Sequence, residues 1–235
     1  MDAKKFILFT IIFISALFPM KMAAQWKVGA FAGYDYNHYN IDTQYAYDLN
    51  FKGRNGVTIG MLGEYVFKDW LGVRTELVYL QKGHIMDRLY NETMQKRRDH
   101  YLELPVMARF SFGSDKIRGF LHAGGYVGYW MNSRVKGSEL SLTYDPDKQI
   151  EYEKANEFYF YDRDYTFESR RDNRFDAGLI GGIGLSYRIL PYLEVEAEGR
   201  CYYSLTSITK DYMKHTRLPQ YNTTIALQLG VKYCF

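Results

Sequence analysis

Apolar and polar residues alternate with a period of two along eight stretches of this chain: 26–36, 54–67, 70–81, 100–111, 117–130, 174–189, 192–204 and 222–235. That period sends successive side chains to opposite faces of a β-strand, so eight strands are predicted. One face is uncharged: it carries Val28, Ala30 and Ala32 in the first stretch, Val57, Ile59 and Met61 in the second, and Leu102, Leu104, Val106 and Ala108 in the fourth. The other face collects Asp35, Glu64, Glu76, Glu103, Asp176, Glu194, Glu196 and Glu198 with Lys27, Arg74, Arg109, Arg118, Arg188, Arg200 and Lys232. Two unlike faces recurring along every stretch describe a sheet with one apolar and one charged side.

The connections divide into two kinds. Lys68-Asp69, residues 112–116 and Leu190-Pro191 join consecutive strands tightly, whereas 37–53, 82–99, 131–173 and 205–221 are long. Short and long connections alternate strictly, which is the pattern of a membrane-spanning antiparallel barrel with short periplasmic turns and long outer loops. Aromatic residues on the apolar face sort toward its two ends. Trp26, Tyr65, Phe67, Phe110, Tyr187, Tyr233 and Phe235 lie at the turn end; Tyr34, Tyr36, Tyr79, Tyr129, Phe175 and Tyr203 lie at the loop end. Two girdles fit two membrane–water interfaces.

The predicted fold is therefore all-β, an eight-stranded antiparallel transmembrane β-barrel, with a soluble lipocalin-like barrel as the alternative. In a soluble ligand barrel the charged face would be buried in an apolar pocket at several kcal/mol per unpaired ion. In a narrow eight-stranded lumen the same residues pair with one another. The expected lumen ion-pair network comprises Glu64, Arg74, Glu76, Glu103, Arg109, Arg118, Asp176, Arg188, Glu194, Glu196, Glu198 and Arg200.

Both termini add to this picture. Lys4 and Lys5 precede an apolar run from Phe6 to Phe18, and Met22-Ala23-Ala24 offers a cleavage point before Gln25. Residues 1–24 read as a secretory signal peptide and 25–235 as one barrel domain. The ending Gln228-x-Gly230-x-x-Tyr233-x-Phe235 resembles the C-terminal signal by which bacterial outer-membrane barrels are recognised for insertion, so Gly230, Tyr233 and Phe235 are assigned to assembly. Outer-membrane lipid and the barrel-assembly machinery are the partners this implies, with a protein partner at the outer loops as a further candidate. A formal net charge of +3 is too small to argue for nucleic acid. Cys201 and Cys234, the only cysteines, fall on opposite faces at different depths and are expected to remain unbridged.

The chain also resembles the PorT-like outer-membrane β-barrel family, found mainly in Bacteroidota. The resemblance rests on Tyr101-Leu102-Glu103-Leu104-Pro105-Val106 and on Phe175-Asp176-Ala177-Gly178-Leu179-Ile180-Gly181-Gly182, and covers the chain outside 131–173. It implies location and fold, and little about activity, although one branch is linked to a protein-secretion machinery. Glu103 and Asp176 would then face the lumen and pair with Arg109, Arg118 or Arg188.

Candidate chemistry is sparse. Ser204, His215 and Asp211 are the one set that could converge at the outer rim as a hydrolase triad, without a supporting motif. The glycine run from Gly178 to Gly184 sits inside a strand with no helix after it, so it is not a phosphate loop. No catalytic residue, cofactor or metal is expected. The function anticipated is a non-enzymatic barrel presenting outer loops for structural or binding roles; the alternatives are a membrane component of protein secretion or surface assembly, and an outer-membrane lipid-modifying enzyme. Loop 82–99 carries Lys82, Arg88, Lys96, Arg97 and Arg98 with the acids Asp87, Glu92 and Asp99, either a solvated loop or a cationic patch that meets lipopolysaccharide phosphates.

Overall fold

A computed structural model describes residues 25–41, 49–88, 93–140, 158–210 and 219–235. The proposed leader 1–24 lies outside them. Nine strands occur among the described residues: β1 (Gln25–Ile41), β2 (Leu49–Lys68), β3 (Leu71–Arg88), β4 (Met94–Gly113), β5 (Ile117–Leu140), β6 (Phe158–Asp164), β7 (Phe175–Leu190), β8 (Leu193–Ser204) and β9 (Gln220–Cys234). Every pairing is antiparallel, in the order β4-β3-β2-β1-β9-β8-β7-β5, and β4 also pairs β5. That last pairing closes eight strands into a barrel without a free edge, which is how a sheet satisfies its backbone groups inside lipid. Among the described residues no helix is long and apolar enough to cross a membrane.

The strands outrun the predicted stretches chiefly at the loop end, and by one or two residues at the turn end. β1 continues to Ile41, β3 to Arg88 and β5 to Leu140, and β4 begins at Met94. Period-two hydrophobicity fades there because neither face of these extensions meets the hydrocarbon of the membrane. The span 131–173 is accordingly no simple loop. β5 pairs β7 along Ile117–Tyr129 and then β6 along Arg134–Leu140, so β6 sits above β7 on the same edge. The aromatic run from Phe158 to Tyr161 is part of this added strand.

The tight connections 69–70, 114–116 and 191–192 share one end. At that end Gly113 takes φ 122°, and a Cβ there would meet the Ile117 carbonyl oxygen at 2.8 Å. Within the wall, Gly60 leaves the space that the inward Phe31 ring fills; a Cβ would lie 2.5 Å from its tip. Phe31 packs there with Leu62, Val78 and Leu80, and a second inner cluster joins Met107, Tyr126, Ile180, Tyr202 and Ala226.

The uncharged face points outward around the whole wall. Leu229 is 70% exposed and Ile183 61%, with Met61, Leu104, Val106 and Leu179 also open. So continuous an apolar belt requires an apolar surround. At the turn end Trp26 packs edge-on to Tyr65 at 4.9 Å, Tyr65 to Phe67 at 4.8 Å, and Tyr233 to Phe235 at 5.0 Å. At the loop end Tyr34, Tyr36, Tyr129, Phe175 and Tyr203 are exposed, and the half-buried Tyr79 bonds the His100 ring.

Above the loop-end girdle, the β5–β6 pairing is fastened by charge. Arg134 donates to both oxygens of Asp162 at 2.7 and 3.0 Å, and Lys136 pairs with the same carboxylate at 2.7 Å. The hydrogen bonds from Arg134 and Lys136 hold the Asp162 pKa down, at about 2. A depressed carboxylate pKa gives stabilisation that is complete above the ordinary range and lost as pH falls through the depressed value. Cross-strand NMR contacts between β5 and β6 should therefore weaken between about pH 4 and about pH 2, and Asp162→Asn should abolish that pH step.

Cys201 is exposed on the wall and Cys234 is buried, both as free thiols. Cys201 lies opposite Ile225, nine residues along β9 from Cys234. At about 3.3 Å per residue that is roughly 30 Å, against a disulfide limit near 7 Å between Cα atoms. Thiol labelling of the denatured protein should be equal with and without reductant; a rise on reduction contradicts these registers.

Candidate functional site

The strand alternation that puts leucines on lipid puts charges into the bore. β8 supplies Glu194, Glu196, Glu198 and Arg200 at four successive inward positions, and β3 supplies Arg74 and Glu76. β1, β2, β4 and β9 add Lys27, Glu64, Arg109 and Lys232. All ten are buried. Five carboxylates thus face five cations.

Their contacts run across the bore. Lys232 reaches Glu196 at 2.8 Å, Glu194 at 2.9 Å and Glu64 at 3.3 Å. Arg109 meets Glu196 at 3.0 Å and Glu64 at 3.2 Å, and Lys27 meets Glu194 at 2.7 Å. Arg200 forks onto Glu76 at 2.5 and 2.7 Å and onto Glu198 at 2.7 and 2.9 Å. Arg74 bonds Glu76 beside it and Glu196 opposite. His122, on β5, adds a contact from Nδ1 to Glu198 at 2.8 Å. Glu196 is shared by Arg74, Arg109 and Lys232, and Glu194 by Lys27, Lys232 and, at 3.7 Å, Arg109.

A second tier lies toward the loop end. Lys82 sits between Glu103 at 2.6 Å and Asp176 at 2.7 Å, with the Tyr101 and Tyr126 rings 4.7 and 5.1 Å away. This corrects the partners expected for Glu103 and Asp176, which are not Arg109, Arg118 or Arg188. Lys82, which the sequence pattern places in loop 82–99, continues the even-numbered inward series Arg74, Glu76, Val78, Leu80 of β3. That series was the available signal. Asp35 is fully buried nearby, with neither carboxylate oxygen hydrogen-bonded.

Arg118 and Arg188 do not join the network. Both are half-buried at the turn-end rim. Arg118 donates to the Asp69 carbonyl at 3.0 Å and pairs with Asp115 at 3.5 Å. Arg188 makes no ion pair among the described residues. Alternation fixes the face a residue takes but not its depth, and these two sit where the bore meets water. The space left at that mouth, between Lys27, Glu64, Arg109 and Glu194, is about 10 Å³, enough for one water.

The loop-end mouth is closed by aromatic packing that sequence patterning did not reveal. Trp130 is fully buried among Tyr39, Tyr101 and Ile208, with Tyr165 and Phe167 folded over it. The Arg97 guanidinium lies 4.4 Å from the Trp130 ring and 4.3 Å from the Tyr165 ring, which stack on each other, and its Nε donates to Asp99 at 2.8 Å. Tyr39 donates to the same Asp99 at 2.9 Å. Asp172, bonded by Arg171, the Glu168 amide and Tyr165, pins the segment that carries Tyr165 and Phe167.

Of the hydrolase set, Ser204 is buried and its hydroxyl donates to Asp176, while Asp211 and His215 lie outside the described residues. Tyr233 and Phe235 point outward at the turn end, and Gly230 points inward between Phe31 and Glu196. The Phe235 amide donates to the Trp26 carbonyl at 3.0 Å, tying the last residue to the first turn-end aromatic.

Comparison with solved structures returns barrels. OprG of Pseudomonas aeruginosa has a TM-score of 0.52 at 11% identity, covering 91% of this chain and 96% of that one. Outer membrane protease OmpT of Escherichia coli scores 0.49 at 8% identity, covering 93% and 100%. Neisserial surface protein A scores 0.44 at 13% identity, covering 88% and 96%. At such identities the likeness to OprG shows the fold alone. Curated protein sequences give no match. The outer membrane protein beta-barrel domain family matches residues 20–210. A closed wall with an apolar exterior, a charged interior and that match together make this chain a member of the outer membrane protein β-barrel domain family.

Proposed function

We propose that this protein is a non-conducting, non-enzymatic outer-membrane barrel whose role lies in its outer extension. The observation that carries the proposal is the double closure of the bore, by ten buried charges toward the turns and by the Trp130 cluster toward the loops. A bore filled in this way offers no path for solute. What remains for recognition is the set of strands and loops projecting beyond the loop-end girdle, where a protein partner binds.

Within its family the chain belongs with the PorT-like barrels found mainly in Bacteroidota, on the strength of Tyr101–Val106 and Phe175–Gly182. Residues 1–24 direct export and are cleaved. Gly230, Tyr233 and Phe235 are read by the barrel-assembly machinery; two exposed rings, 5.0 Å apart and unused by the core, support that reading. Ser204 is held by Asp176 in a buried site, which supports a structural use of that hydroxyl.

Planar-bilayer recordings should show no stable porin-like steps, and large reproducible conductances would sink the closed-bore proposal. Glu196→Ala strands Arg74, Arg109 and Lys232 around a missing carboxylate. Breaking a buried ion pair from one side costs about 3–5 kcal/mol, so the variant's folded band on gels should lose heat resistance at a markedly lower temperature. Phe235→Ser should reduce the amount reaching the outer membrane while leaving the inserted fraction as heat-resistant as the parent. Unchanged insertion with lower heat resistance would make Phe235 a girdle residue only.

A further inference from the structure

Just above the loop-end girdle the outer wall carries an arrangement that a sheet in water avoids. Lys96 lies directly opposite Lys136, and Arg98 directly opposite Arg134, on β4 and β5. All four side chains are exposed on the outer wall. Like charges set directly opposite each other destabilise a strand pair. Here two such pairs follow one another at successive outward positions.

The neighbouring strands relieve only half of this. On the β5 side, β6 brings Asp162, which accepts from Arg134 and pairs with Lys136. On the β3 side, the residues opposite Lys96 and Arg98 are Ile85 and Gly83, which carry no charge. The next strand, β2, places Lys52 opposite Ile85, with its ammonium on Asp87 at 2.7 Å. Arg54, also on β2, donates to the Arg97 carbonyl at 2.8 Å and brings a further positive charge. Among the described residues Lys96 and Arg98 therefore form no ion pair: Asp87, diagonal to Lys96 on β3, is held by Lys52, and Asp162, beyond β5, is held by Arg134 and Lys136.

Depth decides what such a pair faces. Leu102 lies opposite both Tyr79 and Tyr129 of the loop-end girdle. Arg98 and Lys96 are four and six positions further along β4. At about 3.3 Å per residue along a strand tilted by roughly 40°, their Cα atoms stand about 10 and 15 Å above that ring. Long cationic side chains reach back toward the interface along such a wall. They arrive in the layer occupied by lipid headgroups, facing sideways into the leaflet.

We infer that Lys96 and Arg98 form a lateral binding ledge for the phosphate of a glycolipid headgroup in the outer leaflet. Arg presents a planar fork that matches phosphate oxygens, and Lys adds a compact charge beside it. A bound phosphate supplies the negative charge that Asp162 supplies to the Arg134–Lys136 half. The inference deepens the outer-surface role proposed above and rests on the loop end facing outward.

The test uses the full mature chain in detergent micelles, with bisphosphorylated lipid A, the same lipid without phosphates, and a soluble sulfated oligosaccharide as probes. Native mass spectrometry and thermal shift report binding. The parent protein should retain the phosphorylated lipid, and K96Q/R98Q should weaken that binding at least tenfold. K96R/R98K should keep it, and K68Q, at the opposite end, should leave it unchanged. Heat-modified mobility on gels verifies that each variant is folded. Equal binding by the parent and K96Q/R98Q, or equal binding of the phosphate-free lipid, overturns the inference. So does binding of the sulfated oligosaccharide as tight as that of the lipid, which would make the ledge a site for soluble polyanions. The micelle measurement does not depend on orientation or conductance, so its failure leaves the closed-bore reading standing, and porin-like steps would leave the ledge standing.

Discussion

Eight strands closed on themselves leave a bore that only side chains can fill, and here the filling is charged. Each buried ion costs several kcal/mol unless a partner of opposite sign stands within reach. The molecule meets this constraint by matching five carboxylates to five cations across the bore, with Glu196 touching three of the cations. The contacts that count join strands far apart in the sheet, such as Arg74 of β3 and Glu196 of β8. Curvature, register and strand number are thereby tied to charge: a register slip of one residue on β8 would turn four ionised groups toward lipid.

The same constraint separates what sequence patterning reveals from what it hides. Inside the membrane, lipid forbids charge on one face, so alternation identifies the eight wall strands and the inward residues of β8 without ambiguity. Beyond the girdle both faces are wet or covered by protein, and the pattern goes silent. Lys82, the second-tier cation, therefore falls in a predicted loop, and β6 and the upper half of β5 fall within a predicted 43-residue connection, 131–173. The misplacement of Arg118 and Arg188 has a different origin. Both sit at inward positions of their strands, but the bore ends before them, and a strand's period contains no marker of depth.

The loop-end closure belongs to a third category, contacts between residues far apart in sequence whose individual signals are bland. Arg97, Trp130 and Tyr165 form a stack only because β4, β5 and the segment after β6 converge at one mouth. Tyr39 and Asp99 complete it from β1 and β4. Nothing in the spacing of these residues announces the convergence, whereas their chemistry explains it once the strands are in place: a guanidinium against two stacked rings, with a carboxylate holding its Nε.

The distribution of sign along the chain bears on how such a wall is made. β8 alone carries three acids and one base on its inward face, and its compensating groups arrive on β1, β3, β4 and β9. Half of a barrel, laid open in a bilayer, would show those acids to hydrocarbon with their partners missing, at a cost of a few kcal/mol for each ionised group near the midplane. Strands cannot be threaded into the membrane one at a time under that penalty. Neutralisation and closure become a single event, so this chain has to enter its membrane as a nearly complete cylinder.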